Sequence, residues 1–109
     1  MRIGRADSRL IKRTIVTGLT YTVLMTDELI AVNYSSGHCV IVLPPDAYKE
    51  KGWSVIVKDE GLNCSDTNKI IVGSYLQEAN IENFNYVEMM YAGDSIQIYA
   101  TGTKYGIVG

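Results

Sequence analysis

Apolar and polar residues alternate along most of this chain in short stretches, a pattern typical of half-buried β-strands. The stretches are rich in Val, Ile, Tyr and Thr, which favour a pleated sheet. Between them lie Gly, Pro, Asn, Asp and Ser, which favour turns. The pattern predicts about nine strands: Arg13 to Gly18, Tyr21 to Met25, Leu29 to Asn33, His38 to Leu43, Trp53 to Lys58, Lys69 to Val72, Tyr86 to Tyr91, Ser95 to Tyr99 and Tyr105 to Val108.

Helix is restricted to two short segments. Asp46 to Lys51 could form one turn, which Gly52 would end, and Gln77 to Asn83 could form another. Neither reaches the ~12 residues at which a helix becomes stable by itself. Nine short strands in 109 residues instead predict an all-β fold. We expect one compact antiparallel domain over residues 14–109, of the β-sandwich or jelly-roll-like type.

Two of the predicted strands, Cys39 to Leu43 and Lys69 to Val72, are apolar at consecutive positions. Both faces of such a strand favour burial. A sandwich of this length has one interior, so another copy of the chain would cover the second face. Alternatively, one residue of each pair lies at a strand end beneath a loop. The first interpretation predicts an oligomer. Its candidate interface residues are Val40, Val42, Ile70 and Val72.

Charge is distributed unevenly along the chain. Half of the ten basic residues fall within the first thirteen positions, where Asp7 is the one acid. These basic residues are Arg2, Arg5, Arg9, Lys12 and Arg13. Residues 1–13 are either a solvated chain end or a basic arm that docks on an acidic partner or a neighbouring subunit. The net charge of −2 for the whole chain argues against nucleic-acid binding.

The chain carries no sign of a membrane or secretory role. No apolar run approaches the ~18 residues that cross a bilayer, and no apolar stretch follows the basic N-terminus as in a signal peptide. We therefore expect no membrane partner and assembly in a cytoplasm. In that compartment Cys39 and Cys64 are expected to be free thiols, although they could pair.

Few residues are candidates for catalysis. His38 and Cys39 are adjacent on a predicted strand, so their side chains point to opposite faces and cannot share a proton. A single His gives too few ligands for a metal site unless symmetry copies meet at an axis.

Two acidic pairs, Asp27-Glu28 and Asp59-Glu60, have the composition that a glycosidase uses. Both fall at strand–turn junctions, where we expect turn roles instead, with Asp59 bonding backbone amides of the Glu60-Gly61 turn. We therefore predict no catalytic, metal-binding or cofactor-binding residue, no cofactor, and a protein that is not an enzyme.

A series of strand and turn residues follows an order that occurs in one group of proteins. In sequence they are Tyr21, Val23, Asp27, Ile30, Val32, Ser36-Gly37, Val40 to Pro44, Gly52, Val55 to Asp59, Thr67-Asn68 and Ile70-Ile71-Val72. With Ser95 to Tyr105 as a closing hairpin, this order resembles a β-module of tailed-phage virion proteins, especially tail fibres and spikes. The likeness covers roughly residues 20 to 108, and departs from the module at Cys64-Ser65-Asp66 and from Tyr75 to Glu88.

The resemblance implies a homotrimeric structural protein of a bacteriophage virion, assembled in the host cytoplasm. A small module without heptads, shaft repeats or a second domain is more similar to a capsid decoration (cement) protein than to a fibre. Its partner would be the major capsid protein, with the basic arm lying on the shell. The alternative is a tail component that binds a host surface receptor or glycan. In that role exposed tyrosines such as Tyr34, Tyr48, Tyr75 and Tyr91 would stack on the ligand.

Overall fold

Nine β-strands make up most of the regular structure of residues 11–109, the part of the chain described by this computed structural model. They are β1 (Arg13–Val16), β2 (Thr20–Thr22), β3 (Leu29–Val32), β4 (Cys39–Val42), β5 (Ser54–Asp59), β6 (Ile70–Gly73), β7 (Tyr86–Met89), β8 (Ser95–Ala100) and β9 (Tyr105–Val108). Each overlaps a stretch predicted from the sequence, and its ends lie within three residues of the predicted ends. The prediction of a mostly β domain is confirmed.

Two 3-10 turns complete the regular structure of residues 11–109, which contain no α-helix. Ala47–Lys49 forms the first, inside the segment predicted to make one helical turn. Tyr75–Gln77 forms the second, which begins before the predicted segment from Gln77 to Asn83. Neither has the length or hydropathy of a membrane-spanning helix.

The strands form two mixed sheets, and the chain passes back and forth between them. The first sheet has the order β1-β3-β5-β8-β9, and the second has the order β2-β4-β6-β7. Strands β1 to β6 alternate between the sheets, and each of β1 to β4 pairs in parallel with the strand two positions further along the chain. The pairs β5–β8, β6–β7 and β8–β9 are antiparallel. The chain thus winds through both sheets before antiparallel strands close each one.

The expected antiparallel, jelly-roll-like arrangement is therefore wrong for the first six strands. The turn residues predict correctly where the chain reverses, but they do not specify which sheet the next strand joins. Most strands contribute buried apolar side chains to one core between the sheets. A chain that crosses to the opposite sheet can therefore still bury its apolar side chains against the strand it has just left.

The core is a single cluster of buried side chains contributed by both sheets. From the first sheet come Val16, Ile30, Val32, Val55, Val57, Ile98 and Tyr105, and the second sheet with its flanking turns contributes Val23, Cys39, Ile41, Ile70, Val72 and Met89. Tyr105 is fully buried, and its hydroxyl donates to the backbone oxygen of Pro44 at 2.7 Å. Its ring meets Tyr48 and Trp53 edge to face. Tyr105 thus connects the last strand to the Leu43-Pro44 segment.

The connection between β5 and β6 ends in an exposed turn that is closed by its own backbone. The Ser65 amide donates to the Asn68 oxygen at 3.2 Å, and the Asn68 amide donates to the Ser65 oxygen at 3.3 Å. Asp66 and Thr67, between them, are exposed to solvent.

Candidate functional site

The outer face of the second sheet presents two rows of side chains that face away from the core. Strand register places Thr20, Val40, Ile71 and Glu88 in one row and Thr22, Val42, Gly73 and Tyr86 in the other. Within these rows Glu88 is the charged residue, and its carboxylate pairs with Lys69 at 3.1 Å. The remainder is a mostly apolar strip of β-sheet.

Part of this strip is the floor of a groove of about 440 Å³, which we call the sheet groove. Its floor comprises Val40, Val42, Ile71 and Gly73, and the loop after β6 forms its wall. In that loop Leu76 is 75% exposed and has φ +56°, a left-handed conformation that is unfavourable for a bulky residue. Tyr86, 54% exposed, borders the groove as well.

The predicted interface residues divide between the two sides of the second sheet. Val40 and Val42 line the sheet groove, as an interface role requires. Ile70 and Val72 are 3% and 0% exposed and point into the core, so their side chains cannot contact a partner. Because β6 alternates sides at every residue, Ile71 is the apolar side chain that faces outward.

The end of the predicted basic arm belongs to the folded domain. Arg13 begins β1, and its guanidinium donates to both carboxylate oxygens of Glu60. The Lys12 ammonium lies 3.8 Å from the Asp27 carboxylate. Arg2, Arg5 and Arg9 lie outside the described residues, so residues 1–10 are the part of the arm with no described position.

Asp27 is buried and ties the first two strands to the turn that follows them. Its carboxylate accepts hydrogen bonds from the Thr14 hydroxyl at 2.9 Å, the Tyr21 hydroxyl at 2.7 Å and the Leu24 amide at 2.8 Å. Burial alone would raise the pKa of Asp27, but these bonds and the Lys12 charge outweigh it, so the pKa lies below its ordinary value. Burial and the bond to Asp27 raise the pKa of Tyr21 to about 12.

Asp59 has a similar role at the opposite end of the first sheet. It is 1% exposed and accepts from the amides of Asn63 at 3.1 Å, Cys64 at 2.9 Å and Gly93 at 3.0 Å. Burial favours the neutral acid, but the amide bonds outweigh it and lower the pKa of the carboxyl. Asp59 thus connects the turn after β5 to the turn before β8.

The structure places the predicted nucleophile candidates in separate environments. His38 is exposed, and its Nδ1 accepts from the Lys69 amide at 2.9 Å. The buried Cys39 thiol instead contacts the Gly18 backbone oxygen at 3.4 Å. Both cysteines are free, and burial raises the pKa of Cys39 and of Cys64 to about 11. Such thiols are largely protonated at neutral pH and react poorly.

Other candidate chemistry is sparse in residues 11–109. These residues contain no cluster of three or more His, Cys, Asp or Glu side chains that could hold a metal ion. Of the tyrosines considered for ligand stacking, Tyr34 and Tyr48 pack against the core, whereas Tyr75 and Tyr91 are 39% and 74% exposed.

A second cavity, of about 300 Å³, lies where β1, β3 and β5 begin, and we call it the N-terminal cleft. Its lining includes Ile11, Met25, Glu28, Trp53 and Ile56. The Trp53 indole is fixed there, because its Nε1 donates to the Met25 backbone oxygen at 3.0 Å. The pattern of strands and turns in the sequence does not reveal this cleft. The signal available was the one tryptophan of the chain, next to the turn residue Gly52.

Comparison with known proteins adds no relatives: neither a family model nor a curated protein matches this chain. Its function therefore has to be inferred from the fold, the two cavities and the distribution of charge.

Proposed function

We propose that this protein is a structural component of a bacteriophage virion: a homotrimeric capsid decoration protein that binds and stabilises the shell through its N-terminal arm and β-domain. The observation that carries the proposal is the apolar outer face of the second sheet. Val40, Val42 and Ile71 are outward-facing members of strands whose inner residues already complete a core. The domain therefore folds around one interior and still presents a second apolar surface.

Such a surface favours self-association. Contiguous apolar area on a small soluble domain usually marks an interface, because its exposure to water is unfavourable. Gly73, at the end of β6, adds no side chain to this β-branched strip, which favours close approach of another backbone there. Closed symmetric assembly would bury the strip in every copy. Three copies, as the phage-module resemblance implies, would also present three N-terminal arms and so strengthen a weak contact with the shell.

The residues of the resemblance support a structural role for the module. Asp27 and Asp59, both part of the matched order, hold turns through backbone and hydroxyl bonds. Pro44, which ends the matched strand, accepts the Tyr105 hydroxyl. The matched polar residues therefore stabilise the fold. Since these carboxylates are committed to that task, we also propose that the protein is not an enzyme.

Quantitative mass spectrometry of purified particles tests the location. A decoration protein is present in hundreds of copies per particle, whereas a fibre or spike tip is present in few. Few copies would contradict decoration and favour the alternative, a tail module that binds a host receptor or glycan. The observation that favours this alternative is the strong exposure of Tyr91 and Leu62 on neighbouring loops.

Removal of the arm tests how the protein attaches. A deletion of residues 1–11 retains Lys12 and Arg13, whose pairs with Asp27 and Glu60 belong to the folded domain. We expect the truncated protein to keep its circular dichroism spectrum and its oligomeric mass but to lose binding to particles stripped of it. A matched control replaces Lys104, a basic residue of the β8–β9 turn, with Gln and should bind normally. Full binding by the truncated protein would refute the attachment role.

A further inference from the structure

The second sheet has two lateral edges, formed by β2 on one side and β7 on the other. The pairing of β2 with β4 extends past the strand at both ends. The Val40 amide donates to the Leu19 oxygen at 2.8 Å. The Val23 amide donates to the Val42 oxygen, also at 2.8 Å. Within residues 11–109, no backbone hydrogen bond forms on the outer side of β2 or of β7, so both edges offer amides and carbonyls to another chain.

The edge of the first sheet at β9 is covered instead. The Tyr105 amide donates to the Asn80 oxygen at 2.7 Å, and the Glu82 amide donates to the Tyr105 oxygen at 3.0 Å. The Glu82 carboxylate also accepts from the Ile107 amide at 2.9 Å. The loop before β7 thus satisfies backbone groups of β9 within the same chain. It leaves β7, the strand that follows it, uncovered.

Neither edge of the second sheet carries the residues that discourage strand pairing. Open edges are usually protected by Lys, Pro or a bulge. The sequences of β2, Thr-Tyr-Thr, and of β7, Tyr-Val-Glu-Met, contain neither Lys nor Pro. The one charged side chain among them, Glu88, is paired with Lys69 of its own chain at 3.1 Å. Both edges are therefore suited to pairing with another strand.

Strand direction indicates that a second copy of this chain fits the two edges. β4 runs parallel to β2 and to β6, whereas β7 runs antiparallel to β6. When β7 of one copy lies beside β2 of the next, the two strands form an antiparallel pair and both sheets present the same face. Repetition of this contact uses both edges of every copy, so the assembly can close into a ring. Pairing of β7 with β7 would leave every β2 edge open.

We propose that β7 of one copy pairs antiparallel with β2 of the next, so that the second sheets of the assembly join into one closed barrel whose interior is the apolar strip. The inference deepens the proposed function and rests on it for the number of copies. In a trimer, four strands from each copy give a barrel of twelve. The strand edges supply directional hydrogen bonds, and Val40, Val42 and Ile71 supply apolar burial.

Two large side chains beside the strip suit the width of such a barrel. Side chains fill the interior of a barrel of about eight strands, and a barrel of twelve is wider. Leu76 is 75% exposed and Tyr86 is 54% exposed, and both line the sheet groove. Directed toward the symmetry axis, they occupy the additional space and lose their exposure to water.

Cysteine cross-linking tests the pairing. Thr22 on β2 and Tyr86 on β7 are exposed and lie in the same outward row. Within one chain three strand spacings separate them, about 14 Å, which is too far for a disulfide. Opposite Cβ atoms of an antiparallel pair are about 5 Å apart. The double variant Thr22→Cys with Tyr86→Cys should therefore form covalent dimers and trimers after mild oxidation, seen on denaturing gels without reductant.

Further variants cover the register of the contact. Thr20→Cys and Glu88→Cys lie two residues from the first pair, in the neighbouring row. The four combinations of one β2 and one β7 substitution test the in-row register and a shift of two residues in either direction. The matched control is Thr67→Cys with Tyr86→Cys, because Thr67 is exposed in the Ser65–Asn68 turn, and it should give no ladder.

The parent and the single variants complete the experiment. Cys39 and Cys64 are buried in every variant, so the parent should remain uncross-linked. A single Tyr86→Cys variant that forms covalent dimers would show β7–β7 pairing and would overturn the proposal. Absence of a ladder from all four combinations would also overturn it. Light scattering of the parent separates the two proposals: a trimer without a ladder refutes this pairing alone, whereas a monomer refutes the proposed assembly as well.

Hydrogen exchange tests the same contact in the unsubstituted protein. Alternate amides of an open edge strand point away from its neighbour and exchange quickly. We expect every amide of Tyr86–Met89 to be protected in the assembly. In Ile71→Lys, which places a charge in the strip, alternate amides of β7 should lose this protection while those of the central strand β8 keep it. Fast exchange at alternate β7 amides of a trimeric parent would rule out the pairing.

Discussion

At the scale of single residues, two buried aspartates hold together strands and turns that no hairpin joins. Asp27 connects β1 and β2 to the turn at Leu24, and Asp59 connects the turn after β5 to Gly93. Both carboxylates are buried, and each accepts three hydrogen bonds. A buried charge is tolerated only when its lone pairs are satisfied in this way. One carboxylate therefore holds each turn in place: Asp27 the turn at Leu24, and Asp59 the turn after β5.

The sequence allowed part of this to be predicted. A carboxylate at a strand–turn junction is expected to bond nearby amides, and Asp59 does accept from Asn63 and Cys64 in the turn that follows it. Its third partner, Gly93, is distant in the sequence, and no local pattern indicates that contact. The hydrogen bonds from the Thr14 and Tyr21 hydroxyls to Asp27 could not be predicted either, because they form only when the chain crosses between the sheets.

We predict that Asp59→Asn lowers the free energy of unfolding at neutral pH by about 1–3 kcal/mol, since even with the amide oxygen in the Oδ2 position the Asn63 amide faces an NH₂ group and loses its acceptor. Because the pKa of Asp59 is lowered in the fold, its stabilising effect is present above the unfolded-state pKa of about 3.9 and is lost as pH falls through the folded-state value. The difference between parent and variant should therefore shrink in acid. Urea denaturation between neutral pH and pH about 3 measures it.

The matched control for this experiment is Asp66→Asn, which changes an exposed aspartate of the Ser65–Asn68 turn. It should unfold like the parent at every pH. A constant difference between the parent and Asp59→Asn across the acid range would contradict the assigned role of the charge.

At the scale of elements, strand positions were predictable and strand partners were not. Runs of Val, Ile and Tyr between turn residues locate all nine strands, because local preference and turn chemistry agree. The partner of a strand depends on which sheet the chain enters after each turn. That choice is decided by contacts between residues far apart in the sequence, which local patterns do not show. The same holds for the direction of side chains: in Ile70-Ile71-Val72 every residue is apolar, so the sequence cannot show that Ile71 is the outward one.

Tyr105 shows how an element is anchored to the rest of the fold. We predict that Tyr105→Phe costs about 1–2 kcal/mol, because the ring keeps its contacts with Tyr48 and Trp53 while the buried Pro44 oxygen loses its donor. Guanidinium denaturation measures the loss. Tyr91→Phe, at a tyrosine that is 74% exposed, removes the same atom at no expected cost. Equal stability of the two variants would show that the Tyr105 hydroxyl is not needed.

At the scale of the whole molecule, the domain has one interior and two different outer surfaces. The second sheet presents the mostly apolar rows that contain Val40, Val42 and Ile71, in which Glu88 is the charged residue, whereas the first carries Arg13 and Lys58 among its outward residues. The consecutive apolar residues of β4 and β6 have two separate roles, since one side of each strand completes the core and the other forms the floor of the sheet groove.

Ile71→Lys should dissociate the proposed trimer, because it places a charge at the centre of the strip. Light scattering at micromolar concentration should give a trimer mass for the parent and a monomer mass for the variant, with unchanged circular dichroism. Ile15→Lys is the matched control: Ile15 is also outward-facing, on the first sheet, and is 57% exposed. A parent protein that is already monomeric, or an Ile71→Lys variant that keeps the parent mass, would rule out this interface.

The exposed turn at Ser65–Asn68 has a practical consequence for engineering. Its two ends are joined by reciprocal backbone hydrogen bonds, and Asp66 and Thr67 contribute nothing to the core. Lengthening a surface loop costs little free energy when its ends are already held together. A foreign epitope inserted between Asp66 and Thr67 would therefore project from the surface on a preformed stem. If the protein coats a particle, this turn would display that epitope once per subunit, as a dense array suited to a vaccine scaffold.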